Sequence, residues 1–198
     1  MKIVMIHGQN HAGSTCMVAR ELAHKVGGEI QEFFLPRDFD EPCLGCYTCF
    51  QTDLTNCPHY QKLEPLVTAI LEADLLILDS PVYVYHATGQ MMSFLDHFGT
   101  WWVVHRPRPE MAKKQAVVIS TAAGGGMKST ARDMADSLEM WASERCTGWA
   151  SVCRQQNLTR SRHGSWSVFT GRRTRSPGRS RKTPEKADTM VGRKSGFT

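Results

Sequence analysis

Four cysteines stand within one short stretch of this chain, Cys43, Cys46, Cys49 and Cys57, in the spacing C-x2-C-x2-C-x7-C. Four thiolates at such spacing can close on one iron–sulfur cluster or on one zinc ion. Used as thiols, they would instead be a redox-active set or a structural lid, and thiol chemistry needs lowered pKa values. Residue types and spacing leave the three readings open. A second chemical group lies at the start of the chain. The apolar run at 2–6 breaks at His7-Gly8-Gln9-Asn10-His11-Ala12-Gly13, and Ser14-Thr15-Cys16 opens a helical pattern. A strand, a glycine turn and a hydroxyl-rich helix start make an anion cradle, because first-turn N–H groups have no intrahelical partner. Gly8 and Gly13 let backbone approach a ligand closely, and Ser14 and Thr15 add hydroxyl donors. The stretch is not a Walker loop, since no Gly-Lys-Ser/Thr ends it, and it does not fit G-x-G-x-x-G.

The elements that must position these groups follow from periodicity. Residues 3–6 predict a strand buried on both faces. Met17, Val18, Leu22 and Val26 predict a helix over 14–26, capped by Ser14 and stopped by Gly27-Gly28. A second strand is expected over 29–35, ending at Pro36. The stretch 36–58 is irregular and long for a structureless connection, which marks it as functional or disordered. A helix over 60–72, a buried strand over 74–79, a helix over 88–98, a loop over 101–109, a strand over 116–120, a glycine-rich turn at 122–126 and a helix over 127–142 complete the pattern. Strands alternating with helices imply right-handed crossovers and a doubly wound parallel α/β sheet. Ligands of such sheets sit outside the carboxyl ends of the strands. The loops 7–15, 80–87 and 121–126 are therefore expected to meet.

Three motifs in order now carry a resemblance. They are the G-x-x-x-x-G-S-T turn after the first strand, the loop Ser80-Pro81-Val82-Tyr83 leading to Gly89-Gln90-Met91-x-x-Phe94-Leu95-Asp96, and the Gly124-Gly125-Gly126 turn after the fourth strand. Over about residues 1–145 the chain resembles the NADPH-dependent FMN reductase family of flavodoxin-like proteins. The resemblance implies a flavodoxin-like sheet, FMN as cofactor and NAD(P)H as co-substrate. It implies that Gly8, Asn10, Gly13, Ser14, Thr15 and Cys16 surround the FMN phosphate. Pro81, Val82, Tyr83 and Val84 would line the isoalloxazine, with Thr121, Ala122, Gly124 and Gly125 on another side. The chemistry would then belong to the flavin, and no side chain is expected to act as nucleophile or general base. The cysteine run resembles the ligand run of ferredoxins, and also the compact motif of iron–sulfur flavoproteins, which pair a [4Fe–4S] cluster with FMN. On that resemblance Cys43, Cys46, Cys49 and Cys57 are its metal ligands.

Other residues receive plainer readings. Cys16, Cys146 and Cys153 are isolated and read as packed small residues. His7, His11, His24, His59 and His86 lack metal spacing and read as non-ligands. Arg106 and Arg108, in His105-Arg106-Pro107-Arg108-Pro109, read first as an exposed basic loop and second as contacts for a dinucleotide phosphate or an acidic substrate. Trp101 and Trp102 are expected to bury a dimer contact, because flavin reductases of this type resemble dimers that complete each other's sites.

Charge divides the chain. Residues 1–150 carry 12 Lys/Arg against 17 Asp/Glu, and residues 151–198 carry 12 against 2. Two segments follow: an FMN-binding domain over 1–150 with the cysteine loop at 36–58, and a basic tail over 151–198. The tail is rich in Arg, Ser, Gly and Thr and lacks a sustained period, so it is expected to be disordered or to reflect a lost reading frame, with family-like sequence regained at 185–194. The fifth strand and fifth helix of a flavodoxin-like sheet are therefore in doubt. A nucleic-acid-binding module working through the tail is a third class of function, and it is not the expected one. The expected acceptor is a small molecule or a redox protein, and the expected state is a homo-oligomer in the cytoplasm. No apolar run is long enough for a membrane helix, and no signal-peptide pattern opens the chain.

Overall fold

The computed structural model describes residues 1–141 and the strand at 145–152. Five parallel strands form one sheet: β1 (Lys2–His7), β2 (Glu29–Phe34), β3 (Leu75–Pro81), β4 (Gln115–Ala122) and β5 (Arg145–Val152), in the order β2-β1-β3-β4-β5. Among the described residues five helices accompany them: α1 (Ser14–Val26), α2 (Thr48–Gln51), α3 (Tyr60–Glu72), α4 (Gly89–Asp96) and α5 (Met127–Met140). Tight 3-10 turns occupy Leu54–Asn56, His97–Trp101 and Pro109–Lys113.

Side chains alternate across each strand, so every central strand feeds two cores. Val4, Ile6, Leu76 and Leu78 point into the larger one, where α3, α4 and α5 contribute Leu63, Ile70, Phe94 and Leu138. Ile3, Met5, Leu75 and Ile77 point the other way, against Ala19 and Ala23 of α1. The small residues of α1 let the helix lie close to the sheet. Phe98, Trp101 and Trp141 close the larger core, with ring centroids 4.4 Å apart for Phe98–Trp141 and 4.8 Å for Phe98–Trp101.

Several expectations need correction. Ser14 is the first helical residue and the cap is Gly13, whose extended backbone has no side chain to bond the first turn. The helix expected over 88–98 ends at Asp96 and tightens into the 3-10 turn, and its cap is Thr88, whose hydroxyl accepts from Met91 N–H. The stretch 36–58 is not structureless, because α2 and the turn Leu54–Asn56 lie within it. Trp101 is buried and so is not a surface contact, whereas Trp102 is exposed. The doubted fifth strand is present. β5 pairs along β4 from Arg145 opposite Gln115 to Val152 opposite Ala122. Its sequence has no continuous apolar run, and its ladder depends on backbone groups that any non-proline residue supplies. The fifth helix and the reading of the tail beyond Val152 lie outside the described residues. Among the described residues no helix is long and apolar enough to cross a membrane.

Phe98 is fully buried among aromatic rings. Phe98→Ala is expected to cost about 3–5 kcal/mol of stability, measured as a lower urea midpoint with an unchanged slope.

Candidate functional site

The strand order reverses direction at β1, and the chain leaves β1 and β3 toward opposite faces of the sheet. The ends of these strands are tied together. Gly8 N–H donates to the Asp79 carbonyl at 2.7 Å, and the Thr88 hydroxyl donates to the Gly8 carbonyl at 2.5 Å. Thr88 N–H in turn donates to Ser80 Oγ at 2.9 Å. Gly8 is required here, because a Cβ would stand 2.9 Å from Thr88 Oγ1 and 3.0 Å from the Asp79 carbonyl. At Gly13 a Cβ would meet Gln9 Nε2 at 2.8 Å. The loop thus folds over the start of α1, and the glycine cap leaves no side chain between that helix end and its surroundings. Thr15 of α1 and Thr121 of β4 share a buried hydroxyl–hydroxyl bond of 2.6 Å.

The second loop joins the same edge. Pro81 pairs with Thr121 in the ladder, and Val82 N–H donates to the Thr121 carbonyl at 2.9 Å. Tyr83 and His86 exchange backbone hydrogen bonds of 2.9 and 3.0 Å around a tight turn. Its two central residues, Val84 (φ 53°) and Tyr85 (φ 66°), are left-handed. A β-branched residue in that region is an outlier, with a cost of order 1–3 kcal/mol. Neighbours over-determine the turn. Ser129 Oγ donates to the Tyr85 carbonyl at 2.7 Å, and Asp133 accepts from Ala87 N–H and pairs with His86, each at 3.2 Å. Gly126 has φ 92°, and a Cβ there would lie 2.7 Å from Val82 and 2.9 Å from the Tyr85 ring. Beside Gly124 the space is open within 4 Å.

The three loops expected to meet therefore do so. Gly8, Thr15, Pro81, Val82 and Thr121 are joined by the contacts above. Asn10, Ser14, Tyr83, Val84, Gly124 and Gly125 are exposed along the rim, and Gly13 and Ala122 are half-buried. The thiol of Cys16 is turned inward, 4.0 Å from His7 Nε2, so toward the rim it has backbone alone.

The cysteine segment packs against the residues that follow α4. Cys43 and Cys46 are exposed, Cys49 and Cys57 are half-buried, and all four are free thiols. Hydrogen bonds from the Thr48 hydroxyl and backbone N–H hold the Cys46 thiol below its usual pKa. Burial, with the neighbouring thiols behind it, pushes Cys49 and Cys57 up. The buried His97 has its pKa lowered by burial. Its Nε2–H donates to the Glu41 carbonyl at 3.0 Å, so Nδ1 faces Cys57 Sγ, 3.7 Å away, as an acceptor. Among the described residues no three of His, Cys, Asp and Glu converge as the ligands of one ion. The four cysteine side chains are thus not gathered into one closed ligand set, whether for zinc or for a cluster. All four are free thiols close enough to feel one another's charge, the donor type that a cysteine-ligated iron–sulfur cluster would use, on a segment with left-handed Gly45 and Tyr47.

The sequence pattern of NADPH-dependent FMN reductases matches residues 1–147. The chain belongs to that family. It is 27% identical over 134 residues to an iron-sulfur flavoprotein of Methanocaldococcus jannaschii, covering 66% of this chain and 67% of that protein. A flavone reductase structure superposes with a TM-score of 0.55 at 21% identity, over 77% of this chain and 54% of the other. The structure of an NADH:FMN oxidoreductase in its apo form superposes with a TM-score of 0.52 at 23% identity, over 76% and 75%. The structural likeness establishes the flavodoxin-like fold, and the chain spans about half of the flavone reductase it matches.

For this FMN reductase family member, sequence reasoning missed a buried pair under the phosphate-type loop. His7 and Asp79 face each other in register on β1 and β3, with His7 Nδ1 2.5 Å from Asp79 Oδ2 and both side chains fully buried. Burial raises the Asp79 pKa despite the imidazole, and Asp79 Oδ1 is without a hydrogen-bond partner. A charged type ending an apolar strand was the available signal. Arg106 and Arg108 were also misplaced. Arg106 bonds the carbonyls of Cys49 and Thr52, and Arg108 pairs with Asp53 at 3.5 Å. A cleft of about 540 Å³ opens instead at the amino ends of β3 and β4, beside Leu22, Val26 and Val117. It lies at the wrong end of a parallel sheet for a cofactor. Lys114 in its wall caps the carbonyls of Leu71 and Ala73.

Thiol reactivity should follow these environments. Burial pushes Cys16 up to about 11, which leaves about one thiolate in a thousand at pH 8. In native, metal-free protein, iodoacetamide is expected to modify Cys46 ahead of Cys49 and Cys57 and to spare Cys16. Thr48→Val should slow Cys46 without slowing Cys43, as read by peptide mass spectrometry.

Proposed function

We propose that this chain binds FMN across the three loops and passes electrons from NAD(P)H through the flavin to an acceptor. The observation that carries the reading is the convergence of the glycine-capped start of α1, the strained turn at 82–86 and the open side of Gly124 on one edge. Gly8, Asn10, Gly13, Ser14, Thr15 and Cys16 would hold the phosphate, chiefly through backbone N–H groups at the helix end. Pro81, Val82, Tyr83 and Val84 would border the ring on one side, and Thr121, Ala122, Gly124 and Gly125 on another. Bound FMN would supply hydride acceptance and single-electron release. The protein would position it and limit water at its edge. The acceptor class is a small molecule or a redox protein, and exposed Trp102 and Val103 suit a homo-oligomer.

A second reading is favoured by the four free cysteines and by the name of the M. jannaschii relative. In it the chain is an electron carrier with a [4Fe–4S] cluster on Cys43, Cys46, Cys49 and Cys57, exchanging electrons with a ferredoxin-like partner. An anaerobic absorption spectrum with an iron assay separates the two cofactor contents. Steady-state NAD(P)H oxidation by flavin-loaded protein separates the activities, since a pure carrier is expected to show almost none.

Gly8→Ala tests the placement of the flavin. It is expected to weaken FMN at least about tenfold, by displacing the Thr88 tie and the helix start it sets. The measurement is quenching of FMN fluorescence on titration. An unchanged affinity would remove the phosphate from this loop.

A further inference from the structure

We propose that Arg106 is the positioning residue of the cysteine segment: by capping the carboxyl end of α2 it sets where Cys49 stands. The inference rests on the reading that the four cysteines work as one site.

Helix α2 is a single turn, Thr48–Gln51. One turn closes few hydrogen bonds for the dihedrals it fixes and does not persist alone. Its amino end begins at left-handed Tyr47, with no side-chain cap. Its last carbonyls have no partner within the helix. Something outside must hold it, and the residues after α4 do. Arg106 Nη1 donates to the Cys49 carbonyl at 3.1 Å and also to the Thr52 carbonyl. The Thr100 hydroxyl donates to the same Cys49 carbonyl at 3.1 Å. The ring of Phe50 packs over Gly99, where a Cβ would stand 3.3 Å from Phe50 Cζ. Arg108 then pairs with Asp53, just past the helix.

A guanidinium suits this place. Its planar donors satisfy two carbonyls at once, and its charge is favourable at a helix carboxyl end. The prolines that follow each arginine bias it toward extended backbone, and Arg108 has φ −91° and ψ 116°. The Arg-Pro-Arg-Pro sequence thus presents two cations to one short helix. Losing an outer residue that orients a ligand typically weakens a metal site about 10–100-fold.

The test uses the full chain with Arg106→Met, which keeps the length of the stem and removes the donors, and Arg106→Lys, which keeps the charge and a donor nitrogen but not the planar guanidinium. In metal-free protein the rate of Cys49 alkylation by iodoacetamide is read against that of buried Cys16. Arg106→Met is expected to raise the Cys49 rate about tenfold with Cys16 unchanged, and Arg106→Lys to restore part of the protection. FMN binding should match the native chain, because Arg106 does not touch the flavin loops. A Cys49 rate equal to the native one, with FMN bound, overturns the proposal. If Arg106→Met fails to fold, Arg106→Gln, shorter and neutral, decides by the same ratio: a selective rise supports the proposal and no rise overturns it. Iron retained per chain after anaerobic reconstitution should fall in Arg106→Met. A native chain that takes up no iron would defeat the cluster reading, while the alkylation ratio would still decide the role of Arg106.

Discussion

The hydrogen bond from the Thr88 hydroxyl to the Gly8 carbonyl holds the working edge of this sheet together. β1 and β3 are neighbours, yet the chain leaves them toward opposite faces, so their exits would drift apart without a tie. Thr88 makes that tie while also capping α4 and donating its own N–H to Ser80 Oγ. It is fully buried, where a hydrogen bond lost would leave an unpaired carbonyl in low dielectric. Together with the bond from Gly8 N–H to the Asp79 carbonyl, this contact leaves room only for glycine at position 8 and joins the loop before α1 to the start of α4.

From Thr88 the chain runs through α4 into the 3-10 turn His97–Trp101. Its first residue touches the glycine loop. Residues at its far end touch the cysteine segment: His97 beside Cys57, and Thr100 on Cys49. Phe94 and Phe98 anchor its middle in the larger core. One short stretch of chain therefore braces both the glycine loop and the cysteine segment, and packing in the larger core sets their separation.

Much of this was legible in the residues. The 3.6 period places helices over 14–26 and 60–72, the bounds observed. The meeting of the three loops follows from alternation of strand and helix, because topology alone brings the carboxyl ends together. Single contacts were less legible. Ser14 has the chemistry of a cap, but the extended backbone of Gly13 takes the cap position and leaves Ser14 as the first helical residue. The His7–Asp79 pair depends on strand register, which no local pattern states. The prolines around Arg106 read as a breaker-rich surface loop, and its partners lie more than fifty residues away in sequence. The fifth strand was in doubt because the resemblance stops near residue 145 and the chain beyond it turns basic and loses its period, yet the backbone of β5 pairs with β4 along its whole length.

The turn at Val84-Tyr85 has a consequence for anyone who would make this protein sturdier. A designer scanning for relief of backbone strain would choose this turn and write Asn-Gly, the pair that two left-handed positions prefer. The exchange would relax the chain. It would also strip the rim of its most exposed aliphatic side chain and of the ring that leans on Gly126. Here robustness and surface identity pull in opposite directions, and the strained residues are the ones a visiting molecule would meet first.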